Sequence, residues 1–582
     1  MIWLQTIKHF EQRYGSQYVS IFDHLRSRLT ESETGDGKFV VLPFEAGIGK
    51  SLQTDRIVGE YLRSELTRGQ RHTVVRRNDD LRRFLIIKKF KDDVLGCAER
   101  INQVSSGEIA LGITSENWSD YKANLESISD FLVVVITHER YLDLALDAYT
   151  RAFFTEGRHT LVIDEALFPP VCTLSATKIR AVQQVWPLMM QRSLVDAYEP
   201  FLHEIQRLSK SQEQIVVCDP LDCSESIKRF KEEADAQSFD MKTSNLISEF
   251  VNDLEVIIAN TTLCIDGRLT SYDPRIVRWG LRNNIILDAN GNFDMRYSFD
   301  DTVTVDNQAP VINHDNWTIH HIPYNSSKSS IRRTADYHSR LMELVLERKK
   351  PDDKTLIVTQ KEFETKLQAA LGNDDPDVQI AYFGNIIGKN DWRDFNQVWI
   401  VSNAIIPMEV YSLYWLMSTR EEFQERSIDI VLHKRKKGKV SFKDQRFEDI
   451  RMGHLVGEIY QAVKRINRDN NHTAEIFIVN NDPDITEALE RHMPGIRRGE
   501  TIDLDVAQNM TSKETKETEA DRLEAYLLSL PIGERVAKAV VCKEARNINA
   551  NNFGRTLKDE KIQRLINAGI IEVKSRYITR IS

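Results

Sequence analysis

The chain has 582 residues, more than one hydrophobic core normally serves, so three or four domains are expected. Its 41% hydrophobic and 28% charged residues are those of an ordinary globular protein, and a net charge of −9 excludes coating of nucleic acid through bulk positive charge while leaving room for a local basic track. No stretch reaches about 18 uninterrupted apolar residues and six scattered cysteines lack zinc-type or disulfide spacing, so no membrane span is expected and a cytoplasmic setting is.

Residues 1 to about 35 read as a helical lead-in. The apolar run Phe39 to Leu42 then turns through Pro43, Phe44, Glu45, Ala46, Gly47, Ile48, Gly49, Lys50 and Ser51 onto helix-like sequence. A strand that turns through glycines into a helix N-terminus aims backbone N–H groups and the positive helix end at one point, where polyphosphate can sit. Ala46 to Ser51 would cradle the phosphates of ATP, with Lys50 reaching the β and γ phosphates and Ser51 joining a Mg2+ shell. Phe44 stands where the full pattern has its first glycine. A chance turn of the same spelling is the plain alternative.

About 110 residues on, Thr160 to Ile163 reads as a short buried strand running into Asp164 and Glu165. Acids at the end of a central strand suit Mg2+ through Asp164 and a polarised water through Glu165. Alone, such acids are solvated loop residues. Residues 168 to about 280 change character. Gln183 to Leu208 and Ser224 to Asn260 are long, charged and helix-patterned, and Pro169 and Pro170 mark the boundary.

Ser175, Ala176 and Thr177 lie only nine residues after Ala166, too close for a parallel return strand, which needs a crossover of about a dozen residues or more. The run Asn284 to Asp288 is the better candidate for that next strand. Sheet-like sequence continues through Tyr297 to Val305 and Trp317 to Ile322, and Thr355 to Thr359 opens a second apolar series. His433 to Lys439 is the densest basic run, a solvated loop or a set of phosphate contacts. The spacing predicts a helix over Val456 to Arg468, with Gln461, Arg465 and Arg468 at i, i+4 and i+7 along one stripe. Such a stripe is either a solvated face or a set of arginine fingers that stabilise a transferring γ-phosphoryl. Asp503 to Glu519 reads as a linker. From Ile532 onward eleven Lys and Arg face five Asp and Glu, a local excess of +6 that suits phosphate contacts.

The ordered series Ala-Gly-Ile-Gly-Lys-Ser, Asp-Glu-Ala-Leu and Gln-x-x-x-Arg-x-x-Arg resembles superfamily 2 helicases, motif by motif rather than over the whole chain, and is nearest in layout to the DinG/XPD-type branch. Only Cys97 lies where XPD-type members place iron–sulfur ligands, so no cluster is expected. The resemblance implies an α/β fold of two RecA-like parallel-sheet motor lobes with a helical insertion, while the order of a helix near Val536, a helix from Phe553 to Ala568 and strand-like runs at Gly569 to Val573 and Tyr577 to Arg580 looks like a C-terminal winged helix. It implies a first lobe at 1–167, the insertion at 168–280, the rest of the first lobe and a connector at 281–334, the second lobe at 335–500, a linker at 501–519 and the winged helix at 520–582. It further implies nucleic-acid contacts at Lys88, Thr137, Arg140, Thr359 and Asn390, and a nucleotide contact at Gly388. The activity implied is ATP-dependent helicase or translocase action on single-stranded or partly duplex nucleic acid, DNA favoured over RNA. A nucleotide-gated regulator without strand displacement is the alternative, and the winged helix could equally dock a protein.

Overall fold

The computed structural model describes residues 15–71, 81–208, 214–372, 375–386, 391–433, 439–468, 472–506, 519–545 and 553–581. Two parallel sheets form its frame. The first has seven strands in the order Val303–Val305, Phe39–Leu42, Asn283–Leu287, Thr160–Asp164, Phe84–Lys88, Val133–Thr137 and Ala110–Ile113. The five inner strands are buried at nearly every position, which is why most of them read as apolar runs rather than as alternating ones. The second sheet has six strands in the order Val378–Tyr382, Thr355–Thr359, Gln397–Ile400, Ala474–Val479, Trp317–Ile322 and Arg497–Thr501.

Ahead of the first sheet, the helix Ser16–Thr30 buries Tyr18, Ile21, Phe22, Leu25 and Leu29, an apolar stripe at helical spacing. Each such side chain contributes about 1.5–3 kcal/mol when fully buried. Tyr18 also donates a hydrogen bond to the Ile48 carbonyl at 3.1 Å, so the lead-in helix braces the glycine turn directly.

Several boundaries differ from the expected ones. Trp317–Ile322 lies inside the second sheet, paired with Ala474–Val479, so the chain enters the second lobe before residue 335. Tyr297 is on a short helix, Met295–Phe299, because Asp294 caps its start by accepting from the Arg296 N–H. The segment Gln183 to Leu208 is broken at Trp186 and Pro187, with Ala176–Val185 on one side and Gln191–Leu208 on the other.

The 168–280 region is not purely helical. It contributes four strands to a six-stranded antiparallel sheet in the order Lys439–Phe442, Ser427–His433, Gln214–Val217, Leu263–Ile265, Arg268–Tyr272 and Val171–Ser175. The first two strands come from the second-lobe part of the chain. Ile215, Leu263, Ile265 and Tyr272 of the insertion share one core with Tyr411, Trp415, Ile428, Ile430 and Phe447. Gln214 donates to Asp429 at 2.8 Å, and Arg268 pairs with the buried Glu409 at 3.1 Å. Ser175 ends a strand of this sheet and caps the following helix, while Asn283–Leu287 lies between the glycine-turn strand and the Asp164 strand.

Asp505–Ser582 together with Arg333–Tyr337 form a separate compact unit. It has a three-stranded antiparallel sheet, Arg535–Ala537, Tyr577–Arg580 and Ile571–Val573, with its own core of Leu523, Leu527, Val541, Ile562 and Ile578. The helix that the sequence pattern predicts over Phe553 to Ala568 is two pieces, Phe553–Thr556 and Glu560–Asn567.

Candidate functional site

The glycine turn begins where Phe39–Leu42 leaves the first sheet. Gly47 and Gly49 have φ of 93° and 86°, a region that L side chains rarely adopt, so this backbone path depends on glycine at both positions. A Cβ on Gly49 would meet open space, whereas one on Gly47 would come within 3.8 Å of the Arg468 side chain. Ala46 packs into the second-lobe core and Ile48 into the first, so only their backbone is left to meet a ligand. The helix Lys50–Arg71 starts immediately beyond.

Asp164 ends its strand, and Glu165 follows at φ 75°, a strained conformation for a residue with a side chain. The Glu165 N–H is pinned to the Leu287 carbonyl of the neighbouring strand at 3.0 Å. That strain delivers the Glu165 carboxylate to the cleft. Its Oε1 is 3.4 Å from Lys50 Nζ, and its Oε2 is 3.4 Å from Gln461 Nε2 of the second lobe. Gln461 Oε1 in turn accepts from Arg465 at 3.3 Å. A continuous polar line thus runs from the glycine-turn lysine to the second-lobe arginine.

Burial alone would raise the Asp164 pKa, but Lys88, Lys50 and the Ser51 hydroxyl together hold it below the ordinary value. Asp164 Oδ1 and Arg465 Nε are buried without a hydrogen-bond partner among the described residues. An orphaned carboxylate oxygen near a serine hydroxyl is a hard-oxygen donor set that suits magnesium, and an orphaned guanidinium nitrogen suits an anion. Burial lowers the Arg465 pKa, with Glu165 and Glu458 opposing.

The expected helix over Gln461, Arg465 and Arg468 stops early. The helix spans Gln445–Val463, and Lys464 to Arg468 form a turn with Asn467 at φ 42°. Asn467 and Arg468 donate backbone hydrogen bonds to Phe395 and Arg393, which bends the chain away from the helix axis and still leaves both arginines at the cleft.

The expected nucleic-acid residues divide. Lys88 is 3% exposed and bonded to Asp164 at 2.9 Å, because it is still inside a central strand; the following Lys89 is the exposed lysine. Thr359 is 1% exposed and 3.4 Å from the Ser402 hydroxyl, so it supports the second sheet rather than meeting a strand. Thr137 caps the helix His138–Leu146 by accepting from the Arg140 N–H, and the Arg140 guanidinium stacks on Trp118 at 4.2 Å. Gly388 and Asn390 lie outside the described residues, as does most of the basic run after His433.

Four further residues border the site without having been assigned to it from the sequence. His138 Nε2 lies 2.9 Å from the Asp164 carbonyl, tying the Thr137 helix to the acidic strand. Asp288 is fully buried, accepts from Tyr297 at 2.8 Å, and is pushed up to about 6 by burial and then by Glu165 and Asp294. Gly453 and Gly457 on the second-lobe helix face the loop after Leu287 so closely that a Cβ at Gly453 would overlap the Phe293 carbonyl, and one at Gly457 would lie 3.0 Å from Asn290 Nδ2. Two glycines four apart on a helix are the visible signal for such an approach.

Two parallel sheets, with a glycine turn on one side of the cleft and arginines on the other, make a two-lobed fold shared with a solved XPD structure. Within that fold the chain is similar to an apo XPD structure at 12% identity, over 83% of this chain and 99% of that one, with a TM-score of 0.53. An S. tokodaii Xpd4 structure aligns over 80% and 96% at 12% identity and a TM-score of 0.46. S. cerevisiae Dbp5 bound to RNA and ADP BeF3 aligns over 80% and 86% at 10% identity and 0.34. No family model and no curated protein matches the chain.

Proposed function

We propose that the protein is an ATP-dependent nucleic-acid motor, a helicase or translocase acting on DNA in preference to RNA. The observation that carries this is the polar line Lys50, Glu165, Gln461, Arg465, which joins the two lobes through the groups that ATP hydrolysis needs. Lys50 neutralises the β and γ phosphates. Glu165 orients the attacking water and takes its proton, while Arg465 and Arg468 reach the γ-phosphoryl from the other lobe. Ser51 and Asp164 would hold Mg2+, which supplies Lewis-acid polarisation of the phosphate oxygens.

Nucleotide binding pulls Gln461 and Arg465 towards Glu165, and hydrolysis releases them, so the cleft closes and opens once per turnover. The exposed Lys89 and the Arg140–Trp118 pair are candidate strand contacts, the latter as a stacking surface. The C-terminal unit, read as a winged helix, would add phosphate contacts through its basic excess.

ATPase assays with single-stranded DNA, single-stranded RNA or neither, followed by strand displacement on a partly duplex substrate, test this reading. DNA-stimulated hydrolysis with displacement is expected. Hydrolysis without movement would instead mark a nucleotide-gated switch, and no hydrolysis would refute the motor.

A further inference from the structure

A chain of buried charges runs behind the site. On the helix Lys50–Arg71, Asp55 is one turn beyond Ser51 and is completely buried. Its Oδ2 accepts from Arg100 Nε at 2.9 Å and from the Arg100 terminal nitrogen at 2.7 Å. Its Oδ1 accepts from Cys97 Sγ at 3.0 Å and lies 3.5 Å from Lys88 Nζ. Lys88 Nζ then donates to Asp164 Oδ2 at 2.9 Å. The order is Arg100, Asp55, Lys88, Asp164, with the two middle members sealed from solvent.

Buried ion pairs of this kind seldom add net stability, because desolvation consumes most of the attraction. Their effect here is directional. Lys88 occupies one oxygen of Asp164 and leaves the other, Oδ1, buried with no hydrogen-bond partner among the described residues. Mg2+ demands near-octahedral geometry and tolerates little ligand movement, so a carboxylate that is free to rotate or to bind through both oxygens is a poor ligand for it.

We propose that Lys88, held by Asp55 and Arg100, is a positioning residue that fixes Asp164 with Oδ1 presented to the metal of the nucleotide site. This rests on the motor reading above. Partners that orient a metal ligand from behind typically change metal affinity roughly tenfold to a hundredfold when removed.

The test is calorimetric ADP binding by the full chain across a Mg2+ titration, with an EDTA control, for the parent, Lys88→Met, Lys88→Arg and Asp55→Asn. Lys88→Met should raise the Mg2+ concentration that half-maximally tightens ADP binding by roughly tenfold or more, with metal-free ADP affinity unchanged. Lys88→Arg should recover part of the shift, and Asp55→Asn should move it the same way by less. Should Lys88→Met fail to fold, Asp55→Asn carries the test. Parental Mg2+ dependence in the variants, or an equal loss of ADP affinity in EDTA, would overturn the inference. A parent that binds no nucleotide even with Mg2+ would instead overturn the motor reading itself.

Discussion

Substituting Gly453 by alanine probes how the second lobe is seated on the first. The new Cβ would overlap the Phe293 carbonyl oxygen, a backbone atom that cannot rotate away. Restoring an ordinary carbon–oxygen contact of about 3.4 Å requires the helix Gln445–Val463 to withdraw by roughly 1 Å. Gln461 is on that helix and Arg465 just beyond it, so both would retreat from Glu165 by a similar distance. A misplacement of about 1 Å at a reacting centre can cost roughly 100-fold, or about 2.7 kcal/mol of barrier. The glycine turn and Lys50 are untouched, so ATP affinity should stay within about threefold while turnover falls by roughly two orders of magnitude. Alanine also favours the helix itself by about 1 kcal/mol, so melting temperature is a poor guide and turnover is the quantity to measure. Turnover within a factor of three of the parent would refute the claim that this contact sets the arginine position.

Glu165→Gln should abolish hydrolysis while leaving ATP binding intact, as checked by single-turnover hydrolysis against equilibrium binding of labelled ATP. Arg465→Ala should lower turnover far more than nucleotide affinity in the same preparation, because its link to Glu165 of the first lobe runs through Gln461. Asp288 has a folded pKa raised to about 6 from an ordinary 3.8, so the unfolded chain ionises first and the contribution of Asp288 to stability falls as pH rises from about 4 to 6, then levels. Asp288→Asn lacks that loss, and its melting temperature relative to the parent should climb over the same interval. Removing residues 520–582 should preserve basal ATPase activity, weaken nucleic-acid affinity and give a shallower salt dependence, read from binding isotherms at several salt concentrations.

The parts of the site that sequence reasoning reached are those whose function forces a local pattern. A phosphate turn must have glycines between a strand and a helix, and a central parallel strand must be apolar until it reaches its acids, so Gly47 to Ser51 and Asp164 with Glu165 stand out. Lys88 is buried where an exposed contact is expected, because an apolar strand followed by two lysines does not say which lysine the sheet still covers. Thr359 fails for the same reason at the second sheet. Arg465 and Arg468 kept their place while losing their helix, since backbone bonds to Arg393 and Phe395, distant in sequence, decide where it ends. Nothing local announces that Gln214–Val217 pairs with a strand more than two hundred residues later.

That shared sheet makes the region after Asp164 a splice between the two lobes. The peptide bonds of the insertion lead to the first lobe at both ends, yet its edge strand and one of its cores are completed by Ser427–His433 and Tyr411 to Trp415. Cutting out residues 168–280 would therefore strip the second lobe of its strand partner and leave an apolar edge open to self-association. Dissecting the insertion calls for single changes along the seam, at Gln214 or Arg268, where the join can be loosened without exposing it.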